Sequence, residues 1–444
     1  MIDPIIDGSP ARHFPGGLPG GFTKLSSSML AALLLVIGIA GNARAATATG
    51  TAGAAPPAGH AEVMHWWTSG GESAAVRTLA AAWRAQGGTW SDSAIAGSEQ
   101  ARAVAVSRIA GGDPPTAALF NTSRQFHDLI EAGELQPLDA VAAKEGWAQW
   151  LPAPLLESIR VNGHFYAAPV SIHSPTWIWY SKAALKRAGV TQEPRTFDEL
   201  FAALDRLKAA GLVPLAHGGQ SWQENVLFRA VLANAGGRAL YLGVIRDRNA
   251  ALIASPEFRQ VLLTFKRLHG YIDAGSAGRN WNDATAMLIT GRAGFQVMGD
   301  WVKAEFAAAG KSSPRDYGCI AGFGPDAPYI VQGDAFVFPR ARDPDVRAVQ
   351  ERLAVTITQP AVQLAFAALK GSIPVRNDVD ASALDPCGQV GYAILKDGRR
   401  VVGNDERYLT PDQNGAVADV LTDYWNRDLP AEAVQRRIAE ALAE

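Results

Sequence analysis

The chain has 444 residues, 48% of them hydrophobic and 19% charged, with a formal net charge of −2. This balance fits a globular protein long enough for two domains and excludes a disordered chain. The near-zero charge gives no electrostatic basis for a nucleic-acid or anionic-membrane partner.

In chain order, the first feature is the apolar run Met29 to Ala40, about half the length of a membrane-spanning helix. Lys24 precedes it, and Ala43-Arg44-Ala45 follows as a small-residue cleavage site. Residues 1–45 therefore read as a secretory signal peptide, and the Ala/Gly/Thr/Pro-rich residues 46–60 as a flexible leader. Export exposes the only two cysteines, Cys319 and Cys387, to oxidising conditions. A bridge between them and two buried free thiols are the two readings open at this point.

The folded part begins at Glu62. Glu62 to Trp67 reads as a strand that turns through Thr68-Ser69-Gly70-Gly71-Glu72-Ser73 into a helix from about Ala74 to Gln86. A Gly-Gly turn at a helix N-terminus offers backbone N–H groups to a ligand. Ala101 to Ile109 reads as a helix, Ala117 to Phe120 as a strand and Ser123 to Ala132 as a helix. Strands alternating with helices predict a parallel α/β sheet. Further on, Trp177 and Trp179 share one face of a strand. Thr196 and Glu199 read as the capping box of a helix, and Trp222 follows the strand Val213 to Ala216.

The stretch Arg279 to Trp301 carries the functional signal. A short helix stops at Gly291, and the strand Gly294 to Met298 ends abruptly at Gly299-Asp300-Trp301. A carboxylate accepts hydrogen bonds from paired hydroxyls, and an indole covers the apolar C–H face of a pyranose. Trp281 offers a second platform. Trp301 as an ordinary core tryptophan is the competing reading. Beyond it, Asp334 lies partway along the strand Ile330 to Pro339, a helix runs from Asp343 to Thr358, and Lys370 opens Lys370-Gly371-Ser372-Ile373-Pro374-Val375-Arg376.

Several of these blocks occur together, and in order, in a known family. They are H-W-W-T-S-G-G-E at residues 65–72, L-x-P-L-D at 135–139, N-G-x-x-Y-A-x-P at 162–169, P-x-T-F-D-E-L at 194–200, M-G-D-W at 298–301 and K-G-S-I-P-V-R at 370–376. The chain resembles the family 1 extracellular solute-binding proteins of ABC sugar importers, in particular the glucose/mannose-binding branch, from Glu62 to about Glu440. The resemblance implies an α/β, two-lobed periplasmic-binding-protein-like fold of the class II type, with the ligand cleft between the lobes. One lobe would comprise residues 61–170 and 322–370, the other 171–321 and 371–444. It implies a periplasmic, monomeric protein with no cofactor that captures a mono- or small oligosaccharide and delivers it to the membrane permease subunits of an importer. It also places Trp66, Trp67, Glu72, Trp301, Asp334 and Lys370 in the pocket, with His173, Trp222, Trp281 and Asp300 as neighbours, and pairs Cys319 with Cys387.

Where this branch carries a lysine and a glutamine, the chain has Val106 and Leu119. Where it carries a histidine, the chain has Glu406, Arg407 and Tyr408. The expected ligand is therefore not free glucose but a larger glycoside, whose extra apolar face covers Val106 and Leu119, or a sugar acid, whose carboxylate pairs with Arg407. The alternative function is a carbohydrate-processing enzyme of glycosidase type. It would need two carboxylates flanking a bond, and only Glu72, Asp300 and Asp334 offer themselves. There is no G-x-S-x-G, H-E-x-x-H or zinc-type cysteine spacing.

Overall fold

The computed structural model describes residues 59–443 except Ser123. The expected signal peptide lies outside them, as does the expected leader up to its last two residues. His60 already belongs to the first strand.

In the first part of the chain, β1 (His60–His65), β2 (Thr89–Ala94) and β3 (Ala117–Asn121) are linked by helices α1 (Gly70–Arg84) and α2 (Ser98–Ala110). β1 pairs in parallel with β2 on one side and β3 on the other. The strand ends two residues earlier than the sequence suggests, so Trp66 and Trp67 lie beyond it. The helix starts earlier than expected because Ser69 caps it. The Ser69 side chain accepts from the Glu72 N–H, and the Glu72 side chain answers to the Ser69 N–H. β2 was not legible beforehand: in T-W-S-D-S-A only Trp90 is buried, as suits an edge strand. β4 (Arg160–Val161) and β5 (His164–Phe165) form a hairpin over Asn162-Gly163. The fully buried β6 (Ala167–His173) then leads out of this half.

β7 (Trp177–Ser181) opens a second sheet with β8 (Val213–Leu215), β9 (Ala293–Met298) and β10 (Tyr317–Ile320), in the order β10-β7-β9-β8. Helices α3 (Ser221–Ile245), α4 (Pro256–Leu268) and α5 (Trp281–Ile289) come before β9, and α6 (Val302–Ala308) follows it. α3 was not read from the sequence; it is broken at Gly237, where φ is 68°. The expected capping box at Thr196 is half formed. Its side chain accepts from the Glu199 N–H, but the Glu199 carboxylate takes the Arg195 N–H instead.

The chain returns to the first sheet through β11 (Tyr329–Val337), which lies antiparallel to both β3 and β6. Between Asp334 and Ala335 the β6 register slips past Val170, next to Pro169, which has no N–H for the ladder. The irregularity thus falls at Asp334. α7 (Pro344–Thr358), α8 (Pro360–Lys370), α9 (Pro386–Asp397), β12 (Val401–Gly403), α10 (Pro411–Asn426) and α11 (Ala431–Ala443) complete the chain. β12 pairs with β11, so the segment after residue 370 adds a strand to the first sheet. Its last helices belong elsewhere: Val417, Leu421, Trp425 and Ile438 pack into the second core.

Two cores result, which makes the fold two-lobed. Trp83, Phe120, Trp147, Phe336 and Phe366 fill the first, and Phe228, Phe258, Phe265 and Tyr424 fill the second. A third cluster contains Trp177, Trp179 and Tyr329. Trp177 and Trp179 stack at 5.5 Å, on one strand face as the alternation predicts. The cysteines are bridged: Cys319 in β10 is joined to Cys387 in the first turn of α9.

Candidate ligand-binding cleft

A cleft of about 960 Å³ takes its walls from both sheets and their helices. Its centre is assembled by segment ends. Trp66 and Trp67 follow β1, and Glu72 stands in the first turn of α1. His173 ends β6, Asp334 lies at the irregular point of β11, and Trp301 follows β9. Lys370 is the last residue of α8. The helix stops there because Gly371 has φ 79°, and a Cβ on Gly371 would come within 2.6 Å of the Asp300 carbonyl.

Lys370 is 2% exposed. Its Nζ lies 3.2 Å from Glu72 Oε1 and within 6 Å of two indoles, at 5.6 Å from the ring of Trp67 and 5.9 Å from that of Trp301. Trp222 and Trp281 stand at 6.4 and 6.5 Å from Trp301, which gives one side of the cleft three neighbouring indoles. Trp301 is 9% exposed and packs in the third cluster while lining the cleft, and Trp67 departs further from the aromatic expectation. It touches the cleft but is 1% exposed, packed on Phe336 and Phe366. Trp66, just past the strand end, is half-buried with the Arg102 guanidinium over its ring.

The expected acceptors are held by the protein itself. Asp334 takes hydrogen bonds from Asn121 Nδ2 at 2.9 Å and Ser171 Oγ at 3.0 Å. Burial by itself would raise its pKa. His173, Lys370 and Ser171 outweigh it and hold the carboxyl below the usual range. Asp300 is 1% exposed and is spent on His173 Nδ1 and the Ser174 N–H. It stands behind the cleft wall and does not line it. His173 Nε2 lies 3.2 Å from Asp334 Oδ2. Both ring nitrogens face carboxylates, Nδ1 in a hydrogen bond to Asp300 and Nε2 only at ion-pair distance from Asp334, without hydrogen-bond geometry.

Arg407 is a correction. Its guanidinium turns to the Pro154 carbonyl and the Glu157 carboxylate, beside a separate, smaller cavity. Glu406, one residue earlier, faces the cleft instead, and burial together with the charge of Asp405 pushes its carboxyl up. Leu119 is corrected too. It is 2% exposed in the first core, and the strand's last two residues, Phe120 and Asn121, reach the cleft. Val106 does line it, 40% exposed.

Sequence reasoning missed Arg102, Asn121, Asn225, Arg229 and Gln332, which also line the cleft. Arg229 and Asn225 sit on the unrecognised α3, where Arg229 pairs with Asp405. Long helices carry no local sign of which face meets a cleft.

Residues 67–349 match the bacterial extracellular solute-binding protein family. A "Probable sugar-binding periplasmic protein" of Brucella melitensis is 38% identical over 388 residues, covering 86% of this chain and 91% of that protein. One of the same description from Rhizobium meliloti is 36% identical over 396 residues, covering 88% and 95%. The chain belongs to the bacterial extracellular solute-binding protein family. Among solved structures, a chitin oligosaccharide binding protein superposes on this solute-binding protein with a TM-score of 0.74 at 17% identity, covering 86% of this chain and 98% of that one. At that identity the likeness concerns the fold.

Proposed function

We propose that this solute-binding protein captures a neutral mono- or small oligosaccharide in the periplasm and delivers it to the membrane permease of an ABC importer. The observation that carries the reading is the cleft centre. Trp222, Trp281 and the largely buried Trp301 put three neighbouring indoles along the cleft, and the Lys370–Glu72 pair and Asp334 set donors and acceptors beside them. That combination suits a pyranose, apolar on its faces and polar at its rim. Trp66, Glu72, Trp222, Trp281, Trp301, Asp334 and Lys370 are the proposed contacts, joined by Arg102 and Glu406. The relatives' descriptions as sugar-binding and periplasmic support the same reading. A sugar acid loses its expected partner, because Arg407 is turned to Glu157.

The two lobes proposed to close on the sugar by a hinge motion are residues 61–170 with 322–370 and residues 171–321 with 371–444, except that Ile373, Val375, Leu384, Tyr392 and β12 go with the first. The protein works as a monomer without a cofactor and carries out no chemistry on the sugar. The carboxylates a glycosidase would use are each paired within the fold, Glu72 with Lys370 and the Ser69 N–H, Asp300 with His173, and Asp334 with Asn121, Ser171 and His173, which leaves lone pairs on Glu72 and Asp334 for sugar hydroxyls but no unpaired acid among them.

A ligand that binds only the folded protein must raise its melting temperature. Thermal-shift screening is expected to show stabilisation by neutral hexoses or disaccharides and none by hexuronates. No shift with any sugar would overturn the proposal. With the stabilising sugar in hand, Trp301→Ala is expected to weaken binding by about 1–3 kcal/mol, the worth of a buried aromatic contact. Unchanged affinity, measured by calorimetric titration, would return Trp301 to the core.

A further inference from the structure

His173 is a buried histidine that the proposed binding reaction does not use directly. It is 1% exposed and sits where β6 leaves the first lobe. Its Nδ1 bonds to Asp300, which follows β9 of the second lobe, and its Nε2 lies 3.2 Å from Asp334 on β11 of the first, an ion-pair contact outside hydrogen-bond geometry. Asp300 also holds the crossing backbone in both directions. Its carboxylate accepts from the Ser174 N–H at 3.2 Å, and its own N–H donates to the Ser174 carbonyl at 3.2 Å. The next residue is Trp301, whose ring meets the imidazole edge-on at 5.4 Å.

A neutral imidazole has one N–H and no charge to set against two carboxylates; an imidazolium presents an N–H and positive charge to both. We propose that His173 is the positioning residue of the cleft, an imidazolium that fixes Asp334 directly and Trp301 through Asp300, and that losing its proton loosens both. The part concerning sugar affinity rests on the function proposed above.

The charged and titratable groups around the ring come from every element packed there. Asp300 and Asp334 face it. Lys370 lies close enough to oppose its charge, with Glu72 pairing that lysine, and Tyr329 feels Asp300. Burial disfavours the imidazolium, yet the two carboxylates prevail over burial and Lys370, and the pKa stands above the ordinary histidine value of about 6.5. The sign follows. The stabilisation is complete below the unfolded value and is lost as pH rises through the higher folded value.

Long-range ¹H–¹⁵N spectra of histidine-labelled, ligand-free protein test the protonation state, with His173→Gln assigning the signal. At pH 7 both nitrogens are expected to carry protons, and the signal to titrate above the ordinary histidine range. A neutral tautomer at pH 7 would overturn the proposal whether or not any sugar binds. The melting-temperature gap between wild type and His173→Gln should be widest near pH 6 and shrink as pH rises. If His173→Gln does not fold, the wild-type histidine signals alone decide protonation, because no other histidine in the described residues faces two carboxylates. For affinity, D-glucose, D-mannose and cellobiose serve as probes. Whichever of them binds is expected to bind at least tenfold more weakly once the imidazole has lost its proton, with a flat pH profile in His173→Gln. A flat wild-type profile alongside a titrating imidazole would also overturn the proposal. If none of the three binds, the sugar reading suffers and the imidazole titration still decides the role of His173.

Discussion

Lys370→Ala is expected to cost about 3–5 kcal/mol of folding stability as well as abolish sugar capture. The figure is what removing one partner of a buried ion pair costs, because the other charge stays behind without compensation. Glu72 is the charge left behind. It is 7% exposed, and its remaining partner is the Ser69 N–H at 3.4 Å. The ammonium also lies within 6 Å of both the Trp67 and Trp301 rings, so alanine removes a cation–π partner from each. The double variant Lys370→Met/Glu72→Gln removes both charges and keeps most of the volume. It should recover a large part of the loss, since an apolar or neutral replacement of a buried pair is often close to neutral in stability. Guanidinium titrations of the three proteins measure this directly. A loss below about 1 kcal/mol for Lys370→Ala, in the range of exposed pairs, would mean that water reaches Glu72 and that the cleft centre is wetter than its burial indicates.

The residues that build this centre were largely legible because they sit in short, punctuated blocks. Gly-Gly before Glu72, Gly299 before Asp300 and Gly371 after Lys370 each mark the end of a strand or helix, and segment ends are where an α/β protein displays its ligand groups. Which way a side chain points was less legible. Trp66 and Trp67 are neighbours of one kind, yet one borders the cleft half-buried and the other lies in the core. Glu406 faces the cleft in place of the expected Arg407 for a similar reason. They stand in a short 3₁₀ turn after β12 (Asp405–Arg407), where one residue of phase decides between the cleft and Glu157. The network of His173, Asp300 and Asp334 joins residues 127 and 161 positions apart, counted from His173 to Asp300 and to Asp334. No local pattern announces such a pairing. β2 was missed because an edge strand with one buried side chain lacks the alternation that identifies strands.

Breaking the disulfide, by reduction or by Cys319→Ala/Cys387→Ala, is expected to cost about 4 kcal/mol. The bridge closes a loop across a sequence separation of 68, and chain-entropy loss in the unfolded state scales with the logarithm of that length. Its position adds to the effect. Cys319 lies in β10, an edge strand of the second sheet, while α9, which carries Cys387, follows Leu384 and contains Tyr392, both packed in the first core. Unfolding either half with the bridge intact therefore leaves the chain tethered to the other. The first turn of α9 has non-covalent anchors as well. Asp385 caps it by accepting from the Cys387 and Gly388 N–H groups, and Lys303 of α6 holds Asp385 at 2.8 Å. The reduced protein should consequently keep its fold and its sugar affinity near neutral pH while its guanidinium midpoint falls. Midpoints that coincide with and without reductant would show that the unfolded chain gains little freedom when the bridge opens. A loss of sugar affinity in the still-folded reduced protein would instead show that the bridge sets the geometry of the cleft itself.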